Sequence, residues 1–303
     1  MKRNAAVLDR PARPETARMY RRILLATDFS EVSRNAMAVA AVLARRFGSH
    51  LIVANVVPPL PNAIAPPESM YACVDVEKLA RTDLENMLDS PFFSGIPTTT
   101  RLRTGAPAVE LLDLAEIEHA DLIVMGTHGE KGLGRLLLGS VAEDVCRNAK
   151  CPVITVGPGV KDYHKLMPRG IKRIVYSSDL SPESFAALPH VMAVAAENGS
   201  AITMVHVLPI ETGTNAEVMV LVKPLLDIMR RNVSRFDLDV DIDFVVDFGS
   251  PADTIMRYAR EQDAGLIAMG VKQSIGIATH LPGNVAYKVM AGASCPVLTV
   301  REG

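Results

Sequence analysis

The chain is written twice, and no other feature limits its fold as much. RRILLATDFS (21–30) and KRIVYSSDLS (172–181) both set a basic residue before an apolar, β-rich run. Each run then ends in Ser or Thr, Asp, an apolar residue and Ser, with Asp28 and Asp179 lying 151 positions apart. RTGAPAVELLDLAEIEHADLIVMG (103–126) parallels DFGSPADTIMRYAREQDAGLIAMG (247–270), and CPVITV (151–156) parallels CPVLTV (295–300), both at an offset of 144. A repeat of this length in 303 residues reads as two like domains rather than a solenoid. The change of offset gives the first copy about seven extra residues, most simply in the Pro-rich connection VVPPLPNAIAPPESM (56–70).

Each copy alternates strand-like and helix-like segments. In the first, apolar runs at RILLAT, LIVANVV, TTTRLR, DLIVMG and PVITV enclose SRNAMAVAAVLARRF, VEKLARTDLENML, AVELLDLAEIEH and SVAEDVCRNA. This alternation predicts an α/β fold with a mostly parallel sheet covered by helices on both faces. The boundaries read as a flexible basic tail at 1–19, a domain at 20–157, a linker at 158–170 and a second domain at 171–303. The first 22 residues carry seven basic side chains against Asp9 and Glu15, without the apolar core of a secretory signal. AMAVAAVLA (36–44) stops at Arg45-Arg46, short of a membrane span. A net charge of −2 gives no attraction to nucleic acid or to an anionic membrane. Cys73, Cys146, Cys151 and Cys295 show no metal-ligand spacing and read as reduced thiols of a cytoplasmic protein.

The densest cue to function is LIVMGTHGEKGLGRLLLGSVAEDV (122–145), with glycine at 126, 129, 132, 134 and 139. Glycine forgoes packing and costs backbone entropy, so a turn alone accounts for only some of these. In open parallel sheets, ligands bind beyond the carboxyl ends of strands, where strand order reverses. Asp28 closes the first strand and Gly126 the fourth; if these strands are neighbours, both face one crevice. Gly139-Ser140 precedes a helix, whose free N–H groups and dipole suit phosphate. Bland alternatives exist for each residue. Ser140 and Glu143 fit a capping box, and either Asp28 or Ser30 suits an N-cap. Lys131 and Arg135 are ordinary loop cations. Neither GxxxxGK[ST] nor an early GxGxxG is present, which excludes the common phosphate-loop signatures.

The arrangement G126-x-x-G129, nine residues, G139-S140, together with TDFS at 27–30 and GAP at 105–107, closely resembles the universal stress protein family. The resemblance spans both copies. It implies two tandem domains, each a five-stranded parallel sheet of order 3-2-1-4-5, paired through their last strands within the chain, with or without a further homodimer. It implies binding of an adenine nucleotide, ATP with or without Mg²⁺, in a stress response. Matching positions then suggest Thr27 and Asp28 at the ribose and base, and backbone at Val56 against the base. Gly126, Gly129, Gly139, Ser140 and Val141 would line the sugar and phosphates, with Met125, Thr127 and His128 alongside. In the second copy Gln273 stands where the first has Gly129, and Asn284 where it has Ser140. The first copy is thus expected to bind nucleotide, and the second to be mainly structural. Slow ATP hydrolysis or self-phosphorylation, with Ser140 or Thr127 as acceptor, and a nucleotide-independent scaffold are the competing functions.

Overall fold

Apolar runs that lack polar alternation become strands buried on both sides. The computed structural model describes residues 19–59, 67–127, 138–160, 170–209, 215–272 and 285–301; the expectations for the tail at 1–18, for His128 and Gly129, and for positions 273 and 284 lie outside them. The first copy runs β1 (Arg22–Ala26), α1 (Glu31–Phe47), β2 (His50–Val57), α2 (Pro67–Leu88), β3 (Thr98–Thr104), α3 (Pro107–Ile117), β4 (Leu122–Gly126), α4 (Ser140–Asn148) and β5 (Val153–Val156). The second runs β6 (Arg173–Ser177), α5 (Pro182–Phe185), α6 (Leu188–Asn198), β7 (Ala201–Leu208), α7 (Asn215–Val233), β8 (Ile242–Phe248), α8 (Pro251–Glu261), β9 (Leu266–Val271), α9 (Val285–Gly292) and β10 (Val297–Arg301). The Pro-rich stretch is not a loop throughout. Helix α2 starts within that stretch, at Pro67, and has 22 residues against 19 in α7, so part of the insertion is helical.

All ten strands form one sheet, ordered β3-β2-β1-β4-β5-β10-β9-β6-β7-β8. Each half is parallel in the order 3-2-1-4-5, and the halves meet where β5 and β10 pair antiparallel. Alternate strand residues feed two cores, one per face. Ile23 and Leu25 join Leu51, Leu122, Ile154, Ile174 and Leu298 on one side. Leu24 and Ala26 join Ile52, Ile123, Val153, Val175 and Val297 on the other. Both cores therefore run unbroken through the two copies.

The junction is symmetric in sequence as well as in space. Ile154 and Leu298, equivalent residues of the two copies, face each other at its centre, flanked by Thr155–Val297 and Thr299–Val153. Thr155 Oγ1 donates to Val297 O (3.4 Å) and Thr299 Oγ1 to Val153 O (3.3 Å), a reciprocal pair about a local two-fold axis. Cys146 Sγ and its counterpart Met290 Sδ also meet there, at 3.9 Å. Residues 158–160, read as linker, are packed: a Cβ on Gly159 would fall 2.6 Å from Ala293 O, and Val160 is buried. Burial raises the thiols of Cys146 and Cys295 to about 12, and of Cys151 to about 11. Among the described residues no helix is long and apolar enough to cross a membrane.

Two contacts generate predictions. Tyr20, fully buried, packs edge-on against Phe47, and its hydroxyl meets Nδ1 of His190 on α6 at 2.9 Å. Burial lowers the His190 pKa to about 4. The folded chain thus holds fewer protons there than the unfolded chain between pH 6.5 and 4, and stability falls as pH drops through that window. We expect wild type to lose roughly 2–3 kcal/mol more than His190→Gln between pH 7 and 4.5 in urea unfolding; parallel pH profiles would contradict this.

The second contact concerns the glycines that end β4 and β9. A Cβ on Gly270 would lie 2.2 Å from Glu183 O and 2.5 Å from Ser184 Cα, both backbone atoms of α5. On Gly126 its nearest contact would be the Val32 Cγ1 methyl at 3.1 Å, with backbone Ser33 N at 3.4 Å and Val32 C at 3.5 Å. Backbone cannot yield as a methyl can, so Gly270→Ala should cost more than about 2 kcal/mol and Gly126→Ala about 1 or less. Denaturant midpoints of the two variants measure the difference.

Candidate functional site

The carboxyl ends of β1 and β4 are neighbours, as the crevice requires, since Ala26 pairs with Met125. Beyond β1 the TDFS segment forms a tight turn into α1. Phe29 takes φ +65°, and its N–H donates to Thr27 Oγ1 (3.0 Å). Asp28 Oδ1 accepts from both Ser30 N (3.1 Å) and Ser30 Oγ (2.6 Å). Ser30 in turn caps α1 by accepting from Ser33 N. So Ser30 is the N-cap, and Asp28 holds it in place with one oxygen. The second copy repeats the device: Leu180 has φ +65°, and Asp179 Oδ1 accepts from Ser181 N and Oγ. The motif is first a way of starting a helix from a strand end. Asp28 Oδ2 has no partner among the described residues.

Several expected site residues make structural contacts. Thr27 is buried, with Oγ1 donating to Ser33 Oγ and its carbonyl accepting from Asn55 Nδ2. Met125 is 4 % exposed and packs in the core on one face of the sheet, as does its counterpart Met269. Gly126 makes room for the first turn of α1, so its missing Cβ answers a packing demand shared with Gly270. Thr127 is 1 % exposed and its N–H donates to Val156 O.

The remaining positions stay on the edge. Gly139 N donates to Thr127 O (2.7 Å), closing the glycine loop at its base and fixing the start of α4 beside the end of β4. The capping box expected of Ser140 and Glu143 does not form. Gly139 is the N-cap, Ser140 the first helical residue, and no side-chain cap bond is made. Glu143 pairs instead with Arg147 one turn on (2.5 Å). Ser140 is exposed and Val141 half-buried, and among the described residues no N-cap side chain accepts from the first-turn N–H groups of α4. Strand β1 stops opposite Ala54, so from Asn55 onward, Val56 included, β2 pairs with β3 only.

The second crevice differs in chemistry. Asp179 Oδ2 is engaged by Lys272 Nζ at 3.3 Å. Burial opposes its ionisation, but hydrogen bonds from Ser181, Ser184 and Lys272 prevail and hold Asp179 at about 2. His206 occupies the place of Asn55 and makes the same bond, Nδ1–H to Ser178 O at 2.8 Å. A cavity of about 560 Å³ opens here, lined by His206, Leu208, Met269, Lys272, Tyr287 and Arg301, with Arg147 of α4 reaching in from the first copy. Sequence reasoning missed this cavity; the Asn55-to-His206 exchange at offset 151 is the signal that marks it.

Comparison with known proteins identifies the family. The model of the universal stress protein family fits twice, over residues 19–157 and 170–301. A universal stress protein of Methanocaldococcus jannaschii is 36% identical over 140 residues, 46% of this chain and 82% of its own. One of Thermus aquaticus is 36% identical over 140 residues, covering 99% of that protein. The crystal structure of a universal stress protein from Archaeoglobus fulgidus superposes with a TM-score of 0.71 over 93% of this chain and 98% of that one; at 19% identity it speaks for the fold. With two complete family matches, one in each half of a continuous sheet, the chain belongs to the universal stress protein family and carries two of its domains in tandem.

Proposed function

We propose that the first domain binds an adenine nucleotide, ATP foremost, as a regulatory ligand, and that the second does not share this role. The observation that carries the reading is the uncapped start of α4 held beside the end of β4. A helix N-terminus without a side-chain acceptor favours phosphate through its N–H groups and its dipole. Asp28 Oδ2, at the end of the adjacent strand, offers a carboxylate oxygen for ribose hydroxyls. The β1-facing side of β2 at Val56 adds backbone groups for a base. ATP, with or without Mg²⁺, fits this donor set: backbone N–H groups for phosphate oxygens, a carboxylate for the sugar. In the second domain the corresponding oxygen of Asp179 is already occupied by Lys272, and Gln273 and Asn284 replace Gly129 and Ser140.

Calorimetric titration of the full chain tests the proposal. One ATP per chain is expected. Asp28→Asn keeps an acceptor for Ser30 while removing the charge, and should weaken binding about 10- to 100-fold, the range for a hydrogen bond to a charged group. Gly129→Gln, which copies the second domain, should abolish it. Two equivalents per chain, or Asp28→Asn with unchanged affinity, would count against the assignment.

A further inference from the structure

We infer that the cavity in the second domain is a ligand site in its own right, built for a singly charged anion with an apolar body and one hydrogen-bond donor. It is distinct from nucleotide binding by the first domain and would stand if that reading failed.

The cavity crosses the two copies. Its walls come from the ends of β7 and β9, from α9, and from Leu138, Cys146 and Arg147 around α4 of the first domain. A volume near 560 Å³ suits a small organic molecule. Leu208, Pro209, Met269, Val271, Val285 and Met290 make most of the lining apolar. Such a surface takes a hydrophobic body readily and a chain of phosphates poorly.

The polar groups narrow the choice. His206 is 8 % exposed. A carbonyl oxygen can only accept, so Nδ1 carries the proton donated to Ser178 O. In the neutral ring Nε2 is then an acceptor, and it has no partner among the described residues. A buried acceptor left unsatisfied is costly, and a ligand hydroxyl or N–H would satisfy it. Asn55 makes the equivalent bond in the first domain with Nδ2, so the exchange to His206 preserves the structural contact and adds this second atom.

Charge sets the remaining requirement. Two carboxylates line the cavity, and each is matched: Glu143 by Arg147 at 2.5 Å and Asp179 by Lys272 at 3.3 Å. Arg301, last residue of β10, lines the same cavity and has no ion-pair partner among the described residues. The first domain has Gly157 at the equivalent position. One unmatched guanidinium calls for one negative charge. A polyphosphate would bring several, against a wall that already holds two carboxylates.

The probe for the test is 1-anilinonaphthalene-8-sulfonate, which has an aromatic body, one sulfonate and one anilino N–H. Fluorescence titration of the native full chain should show one saturable site. His206→Asn, which restores the first domain's residue and retains the bond to Ser178, should weaken dye binding about tenfold. Arg301→Gln should do the same, and Val271→Trp should fill the cavity and remove the site. Saturating ATP should leave the dye affinity unchanged. The proposal is overturned by no saturable binding, by affinities unaltered in both His206→Asn and Arg301→Gln, or by competitive displacement with ATP. Should Val271→Trp not fold, the other two variants still decide the matter.

Discussion

Everything else in the molecule hangs on the antiparallel pairing of β5 with β10. Each half on its own would end in a short apolar strand, VITV or VLTVR, with its backbone donors and acceptors open on one side. Such an edge recruits other chains. Joining the two edges removes both at once and lets the cores on each face continue across the junction. The outer edges are then β3 and β8, where burial is only partial and where threonine, arginine and aspartate interrupt the apolar pattern. The strongest strands are thus placed in the middle and the most polar ones at the rim.

The same backbone carries two different crevices. Both use an Asp–x–Ser turn with a left-handed residue between, and both need a glycine where the fourth strand passes the first helix turn of its domain. Those features belong to the fold and survive in each copy. The side chains that differ are the ones a fold does not require: Asn55 against His206, Gly157 against Arg301, and an open Asp28 oxygen against an Asp179 oxygen held by Lys272. Divergence has worked on the lining while leaving the frame alone. The packing of Gly270, tighter than that of Gly126, illustrates how strictly that frame is kept.

The alternation of strands and helices was readable because unalternated apolar runs such as DLIVMG have one stable use, a strand covered on both faces, while the strand order came from the family resemblance. The repeat offset located the matching ends. The site was only partly readable. SVAE has the composition of a capping box, but the helix begins one residue earlier than that motif needs, and Glu143 turns to Arg147. Which neighbour a Cβ at Gly126 would meet is not written in the sequence either; it is Val32. His206 and Arg301 form no motif with anything near them in sequence, and only the fold brings them to one cavity.

The Tyr20–His190 contact has a consequence of its own. At the 151-residue offset its counterparts are Ile171 and Val39, so the contact exists once, on one side of the local axis. An assembly of two identical chains would have to carry every such feature twice, on both partners, whether or not both sides could use it. Here the peptide between β5 and β6 keeps the two halves together at an effective concentration that dilution does not change. The partners never exchange, and each half can specialise against a neighbour of fixed identity. The chain is in this sense a permanent heterodimer, free to hold two unlike pockets in one nearly symmetric body.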